Sequence, residues 1–146
     1  MAIAALITWL ITAGFGFYML TTWISAGGTR SGADGAASHF APPRVFAHFL
    51  LALAGLLIWI LYLIVDKSLW AWIAFVDLII VAVIGDLLVL RWSTDRRLQK
   101  AAAGGTSPGS GLAEQRIPFP VVVLHGVFAV STVVLVLLSA LEIGPS

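Results

Sequence analysis

The chain has little charge and no cysteine. Only 10% of its 146 residues are charged, whereas an average soluble domain is about 25% charged. With 60% hydrophobic residues and a mean hydropathy of +1.04, it is too apolar for a water-soluble enzyme, a nucleic-acid-binding protein or a disordered chain. The absence of cysteine excludes disulfides, thiolate metal sites, iron–sulfur ligation and thiol nucleophiles. The sequence also lacks a glycine-rich phosphate loop and an HExxH zinc motif.

Four apolar runs are each long enough to cross a bilayer, which takes about 20 helical residues. They lie at residues 1–26, 45–65, 69–90 and 119–141. Only residues 66–68 separate the second run from the third, so these two form an antiparallel hairpin. Residues 92–117 contain a Gly- and Ser-rich stretch that is typical of a flexible linker. The sequence therefore predicts an all-α integral membrane protein, a single-domain antiparallel four-helix bundle.

The positive charges predict the orientation of the bundle. Seven of the eight Lys and Arg residues lie in or beside the first and third loops, and only Lys67 lies on the other side. Since positive loops stay in the cytoplasm, we expect these two loops to be cytoplasmic and both termini outside, in a bacterial cytoplasmic membrane. Trp23 and Trp92 are then expected at the inner interface, and Trp70 and Trp72 at the outer one.

Four ionisable residues fall inside the predicted spans: His48, Asp77, Asp86 and His125. Each costs at least about 2.5–3.5 kcal/mol in hydrocarbon and needs a partner or a purpose. Counting about 1.5 Å per helical residue from the cytoplasmic span ends predicts that His48, Asp86 and His125 share one layer near the cytoplasmic side. Asp77 lies near the midplane and faces away from Asp86. We expect it to be protonated or hydrogen-bonded to a hydroxyl or an indole.

Two histidines at one depth on different helices can ligate one iron from opposite faces of a porphyrin. His48 and His125 are therefore the predicted ligands of a haem, with Asp86 as an alternative ligand or a residue that supports them. The other predicted haem contacts lie near these histidines: Arg44 for the propionates, Gly55 and Gly126 for space, and Thr132 to orient an imidazole.

The layout of one histidine on each of two spans resembles small b-type cytochromes of the four-helix membrane type. The segment 121–130 also resembles uncharacterised four-span membrane proteins of high-GC bacteria. The resemblance covers spans two to four and implies one haem b per chain, with His48 and His125 as axial ligands. Di-haem transmembrane cytochromes have a second histidine pair in the outer layer, which this sequence lacks. The resemblance thus implies electron exchange with quinone or a redox protein, without transfer across the bilayer.

The residues leave other interpretations open. The two histidines can form polar contacts between helices, or bind a divalent metal or relay protons together with Asp86. The whole chain can also be an accessory or scaffolding subunit, associated with other membrane subunits or with a second copy of itself, or a small proton-coupled transporter that uses Asp77. We do not expect a self-contained enzyme. His39, in the first loop, is expected to be solvated.

Overall fold

The computed structural model describes residues 1–30, 38–102 and 112–143. Four α-helices make up most of this part: α1 (Ala2–Ser25), α2 (Pro42–Val65), α3 (Ser68–Ala102) and α4 (Phe119–Ala140). A short 3₁₀ helix, Ala113–Arg116, precedes α4. All four α-helices are long and apolar enough to cross a membrane. The predicted all-α four-helix membrane bundle is confirmed.

The ends of the helices follow from local chemistry. Prolines lie in the first turn of α2 and of α4, where a missing backbone N–H leaves no hydrogen bond unmade. Asp66 ends α2 in the left-handed conformation, with φ 52°, and its backbone N–H donates to the Tyr62 carbonyl at 2.8 Å. Because α3 begins at Ser68, the chain reverses within two residues, and α2 and α3 form the expected hairpin.

The third helix is longer than the apolar run that predicted it. The run ends at Leu90, but α3 continues to Ala102, into the predicted linker. Hydropathy marks where a helix leaves hydrocarbon, whereas backbone hydrogen bonding carries the helix on into the polar segment. Trp92 and Asp95 face inward in this extension and are each 4% exposed. The Gly- and Ser-rich part of the predicted linker, residues 103–111, lies outside the described residues.

The order of the helices around the bundle places α2 diagonally opposite α4. Helix α1 packs mainly along α4, α2 packs mainly along α3, and α3 also contacts α4. At the end that holds the α2–α3 turn, a buried cluster includes Trp9 and Trp59, whose ring centroids are 6.4 Å apart. At the other end, Trp23 packs with Ala113 and Ile117.

The two tryptophans expected at the inner interface are buried within the protein. Trp23 is 1% exposed and Trp92 is 4% exposed. The indole N–H of Trp23 donates to the Ser38 hydroxyl at 2.9 Å, and that of Trp92 donates to the Glu114 carbonyl at 3.0 Å. The segments before α2 and before α4 therefore fold over this end of the bundle, which we call the loop end.

Candidate functional site

A cavity of about 470 Å³ lies between the four helices and extends from Trp9 towards Trp23. Its wall is mostly apolar, and His48 and His125 contribute to it from α2 and α4. Ligand sites commonly enclose about 300–1,000 Å³ with a few polar groups set in an apolar lining. The cavity therefore has the size and the wall of a site for an organic ligand.

The rings of His48 and His125 lie next to each other across the bundle. Their centroids are 6.3 Å apart, and their planes are inclined by 57°. Because α2 and α4 are diagonal neighbours, the two side chains approach each other across the interior. This is the arrangement expected from their matched depth in the sequence.

Each imidazole is oriented by a backbone carbonyl of the helix beside it. Nδ1 of His48 lies 3.0 Å from the Val81 carbonyl oxygen on α3, and Nδ1 of His125 lies 3.0 Å from the Thr12 carbonyl oxygen on α1. A carbonyl oxygen only accepts, so Nδ1 donates in both hydrogen bonds. In a neutral ring the lone pair is then on Nε2. Metal-binding histidines are commonly oriented in the same way.

A glycine lies one turn after each acceptor and lets the ring approach the helix. A Cβ at Gly85 would lie 3.0 Å from Cε1 of His48, and a Cβ at Gly16 would lie 3.2 Å from Cε1 of His125. Both distances are shorter than ordinary contact. Gly85 follows Val81 by four residues, and Gly16 follows Thr12 by four. The same hydrogen bond and glycine contact thus occur twice, once between α2 and α3 and once between α4 and α1.

Small residues surround the histidines on the cavity wall. Ala52 follows His48 by four residues, Ala129 follows His125 by four, and both line the cavity. Gly126 also lines it, and a Cβ there would meet no atom within 4 Å. The space beside the two rings is therefore open enough for a flat ligand.

Thr132 and Asp86 line the same cavity. The Thr132 hydroxyl lies 2.8 Å from the Phe128 carbonyl and 3.0 Å from the Thr8 hydroxyl, so it links α4 to α1. Asp86 is exposed. We expected Asp86 or Thr132 to orient the imidazoles. Backbone carbonyls hold Nδ1 of both histidines instead.

The two remaining residues expected at a haem are Arg44 and Gly55. Arg44 is exposed at the start of α2. Gly55 is buried, and a Cβ there would overlap Oδ2 of Asp77 and lie 3.1 Å from the Trp9 ring. Gly55 thus makes room for the Asp77 carboxyl, which differs from the expectation that it leaves space for a macrocycle. Oδ2 of Asp77 is buried without a hydrogen-bond partner among residues 1–30, 38–102 and 112–143.

Further residues that the sequence did not predict lie at the loop end. Glu114 is fully buried there, and one of its carboxylate oxygens accepts the backbone N–H of His39 at 2.8 Å. His39 is not simply solvated, because its ring Nδ1 lies 3.1 Å from Oδ2 of Asp95. The one available signal was the helical spacing of Arg91 and Asp95, which places both on one face. Nothing in the local sequence marks Glu114 as buried.

Comparison of the chain with protein-family models, curated proteins and solved structures gave no match.

Proposed function

We propose that this protein is a membrane b-type cytochrome that binds one haem b between His48 and His125 and exchanges electrons with quinone or a redox protein. The observation that carries the proposal is the paired imidazoles, whose centroids are 6.3 Å apart. Each has its Nδ1 engaged with a carbonyl and Nε2 left to bind a metal.

The separation of the rings fits a single metal ion between them. A bond from a metal to an imidazole nitrogen is about 2.0–2.1 Å long. A centroid separation of 6.3 Å would leave room for one metal ion between the two imidazoles at that bond length.

The surroundings of the rings also suit a haem. The cavity is mostly apolar, and this lining would keep water away from a bound haem. Gly16 and Gly85 let the imidazoles pack against the neighbouring helices, and Gly126 leaves open space beside them. A bound haem with two histidine ligands would supply one-electron chemistry and leave no open position on the iron. We therefore infer electron transfer and not oxygen chemistry.

The distribution of charge suggests where electrons enter and leave. Seven of the eight Lys and Arg residues lie toward the loop end, and His48 is one turn from Arg44. Under the positive-inside rule, the haem lies nearer the cytoplasmic face of a bacterial inner membrane. A single haem near that face would exchange electrons with a partner on the same side. Its propionates could pair with Arg44, Arg91 or Arg116.

An absorption spectrum tests the proposal directly. Protein produced with ample haem and purified in detergent should show a Soret band and, after dithionite reduction, a sharp alpha band. His48→Ala and His125→Ala should each lose this low-spin spectrum. His39→Ala is the matched control and should keep it. A colourless wild-type protein, or an unchanged spectrum in either ligand variant, contradicts the proposal and favours an accessory subunit without chemistry.

A further inference from the structure

We propose that His39, Asp95 and Glu114 form a binding site for a divalent transition-metal cation of the Zn²⁺ type at the loop end of the bundle. These three residues, which we call the loop-end triad, come from three separate segments. His39 precedes α2, Asp95 belongs to the polar extension of α3, and Glu114 belongs to the 3₁₀ helix before α4. The site does not depend on the proposed haem.

The three side chains are close enough to share an ion. One ligand atom from each residue lies within 4.8 Å of the other two, and Nδ1 of His39 is 3.1 Å from Oδ2 of Asp95. Ligands of a tetrahedral zinc at about 2.0–2.2 Å are roughly 3.3–3.6 Å apart. Small side-chain movements therefore bring the triad to coordinating distance.

The two carboxylates of the triad are buried, and one carboxylate oxygen of Glu114 is left without a partner among the described residues. Asp95 is 4% exposed and Glu114 is 0% exposed. Oδ2 of Asp95 faces Nδ1 of His39 at 3.1 Å, whereas Oε2 of Glu114 has no hydrogen-bond partner in the part of the chain that the structure describes. Buried carboxylates are costly unless they are paired or bind a metal. Because Oε1 of Glu114 accepts the His39 backbone N–H, the carboxylate is fixed beside the histidine.

The ligand types select the class of cation. One imidazole nitrogen and two carboxylates supply three ligands of types that Zn²⁺ takes, and a water would complete the usual four. Calcium takes about 6–8 oxygen ligands, more than the triad provides. The competitor on the protein is Arg91, whose Nε lies 3.3 Å from Oδ2 of Asp95. Its side chain is 51% exposed, so it can turn to solvent when a cation binds.

A cation at the triad would hold the loop end together. It would join the segment before α2, the α3 extension and the segment before α4. The first of these contacts Trp23 through Ser38, and the last contacts Trp92 through Glu114. Binding to the folded protein alone raises its stability by mass action. We therefore expect Zn²⁺ to raise the melting temperature as well as to bind.

Isothermal titration of ZnCl₂ into the tag-free full chain in detergent tests the site. The wild type should bind one Zn²⁺ at the triad, and His39→Gln, Asp95→Asn and Glu114→Gln should each weaken binding at least tenfold. The double variant His48→Ala/His125→Ala is the control, because those histidines are the other imidazoles that can take zinc. It should keep the triad's affinity. Equal affinity in wild type and all three triad variants, or loss of binding in the control, overturns the proposal.

Thermal unfolding provides a second test of the zinc site, which does not require the variants of the buried carboxylates to fold. His39 is exposed, so His39→Gln should fold like the wild type. Saturating Zn²⁺ should raise the melting temperature of the wild type and of the His48→Ala/His125→Ala control, with little effect on His39→Gln. An equal shift in His39→Gln and wild type, or no shift in the wild type, overturns the proposal.

Discussion

Replacing Gly16 by alanine tests whether the His125 ring lies against the backbone of α1. The added Cβ would lie 3.2 Å from Cε1 and 3.6 Å from Nδ1 of His125, and ordinary contact begins at 3.4 Å. The ring must therefore move away from α1, which strains the 3.0 Å hydrogen bond from Nδ1 to the Thr12 carbonyl. Gly14 is a matched control on the same helix, because a Cβ there meets no atom within 4 Å.

Two contributions of opposite sign set the expected change in the free energy of unfolding. Alanine is favoured over glycine inside a helix by about 0.8–1.0 kcal/mol, and both variants gain this. Loss of a hydrogen bond costs about 0.5–1.5 kcal/mol, and only Gly16→Ala has this cost. We expect Gly16→Ala to be less stable than Gly14→Ala by roughly 0.5–1.5 kcal/mol.

Unfolding by sodium dodecyl sulfate in mixed micelles, followed by tryptophan fluorescence, measures this difference. Gly85→Ala against Gly126→Ala repeats the comparison at His48, where the contact is shorter, 3.0 Å from Cε1. The penalty should be larger there. Equal stability of Gly14→Ala and Gly16→Ala would refute the placement of the ring, and with it the orientation on which the haem proposal depends.

Three further substitutions test other contacts of the bundle. Gly55→Ala should lower the free energy of unfolding by about 1–3 kcal/mol because its Cβ overlaps the Asp77 carboxyl, and Gly55→Ala/Asp77→Ala should recover most of this loss in a double-mutant cycle. Trp92→Phe should cost about 1 kcal/mol, since the buried carbonyl that accepts its indole N–H loses a partner; no loss in denaturant unfolding contradicts that bond. Thr132→Val should cost about 0.6 kcal/mol, the average for a polar contact between membrane helices, because it removes the link to Thr8. The Thr8→Val variant should show no additional loss when combined with it.

The sequence predicted the spans better than it predicted their ends. Hydropathy located four helices because each crosses hydrocarbon, and the three residues between the second and third runs required a hairpin. Hydropathy also predicted that the third helix ends at Leu90, although α3 continues to Ala102. Backbone hydrogen bonds do not depend on apolar side chains. Hydropathy therefore could not predict the polar extension of α3 that contains Asp95.

The sequence predicted the two histidines of the candidate site, but it did not predict the groups that orient them. The sequence predicts His48 and His125 from their depth, which follows from the constant rise of a helix. Their partners, the carbonyls of Val81 and Thr12, are backbone groups that any residue supplies. No pattern of side chains can reveal them. Gly16 and Gly85 became informative only when the rings beside them were known.

By itself, the sequence determined that four apolar helices cross a membrane and that two imidazoles lie at one level, since hydropathy and helical rise are local properties of the chain. Tertiary structure decided which helices are neighbours and how each is rotated. Helices in lipid are apolar on every face, so the periodicity that marks the inward face of a helix in water is absent. The hydrogen bonds of the histidines and the burial of Glu114 depend on that rotation and on contacts between distant segments.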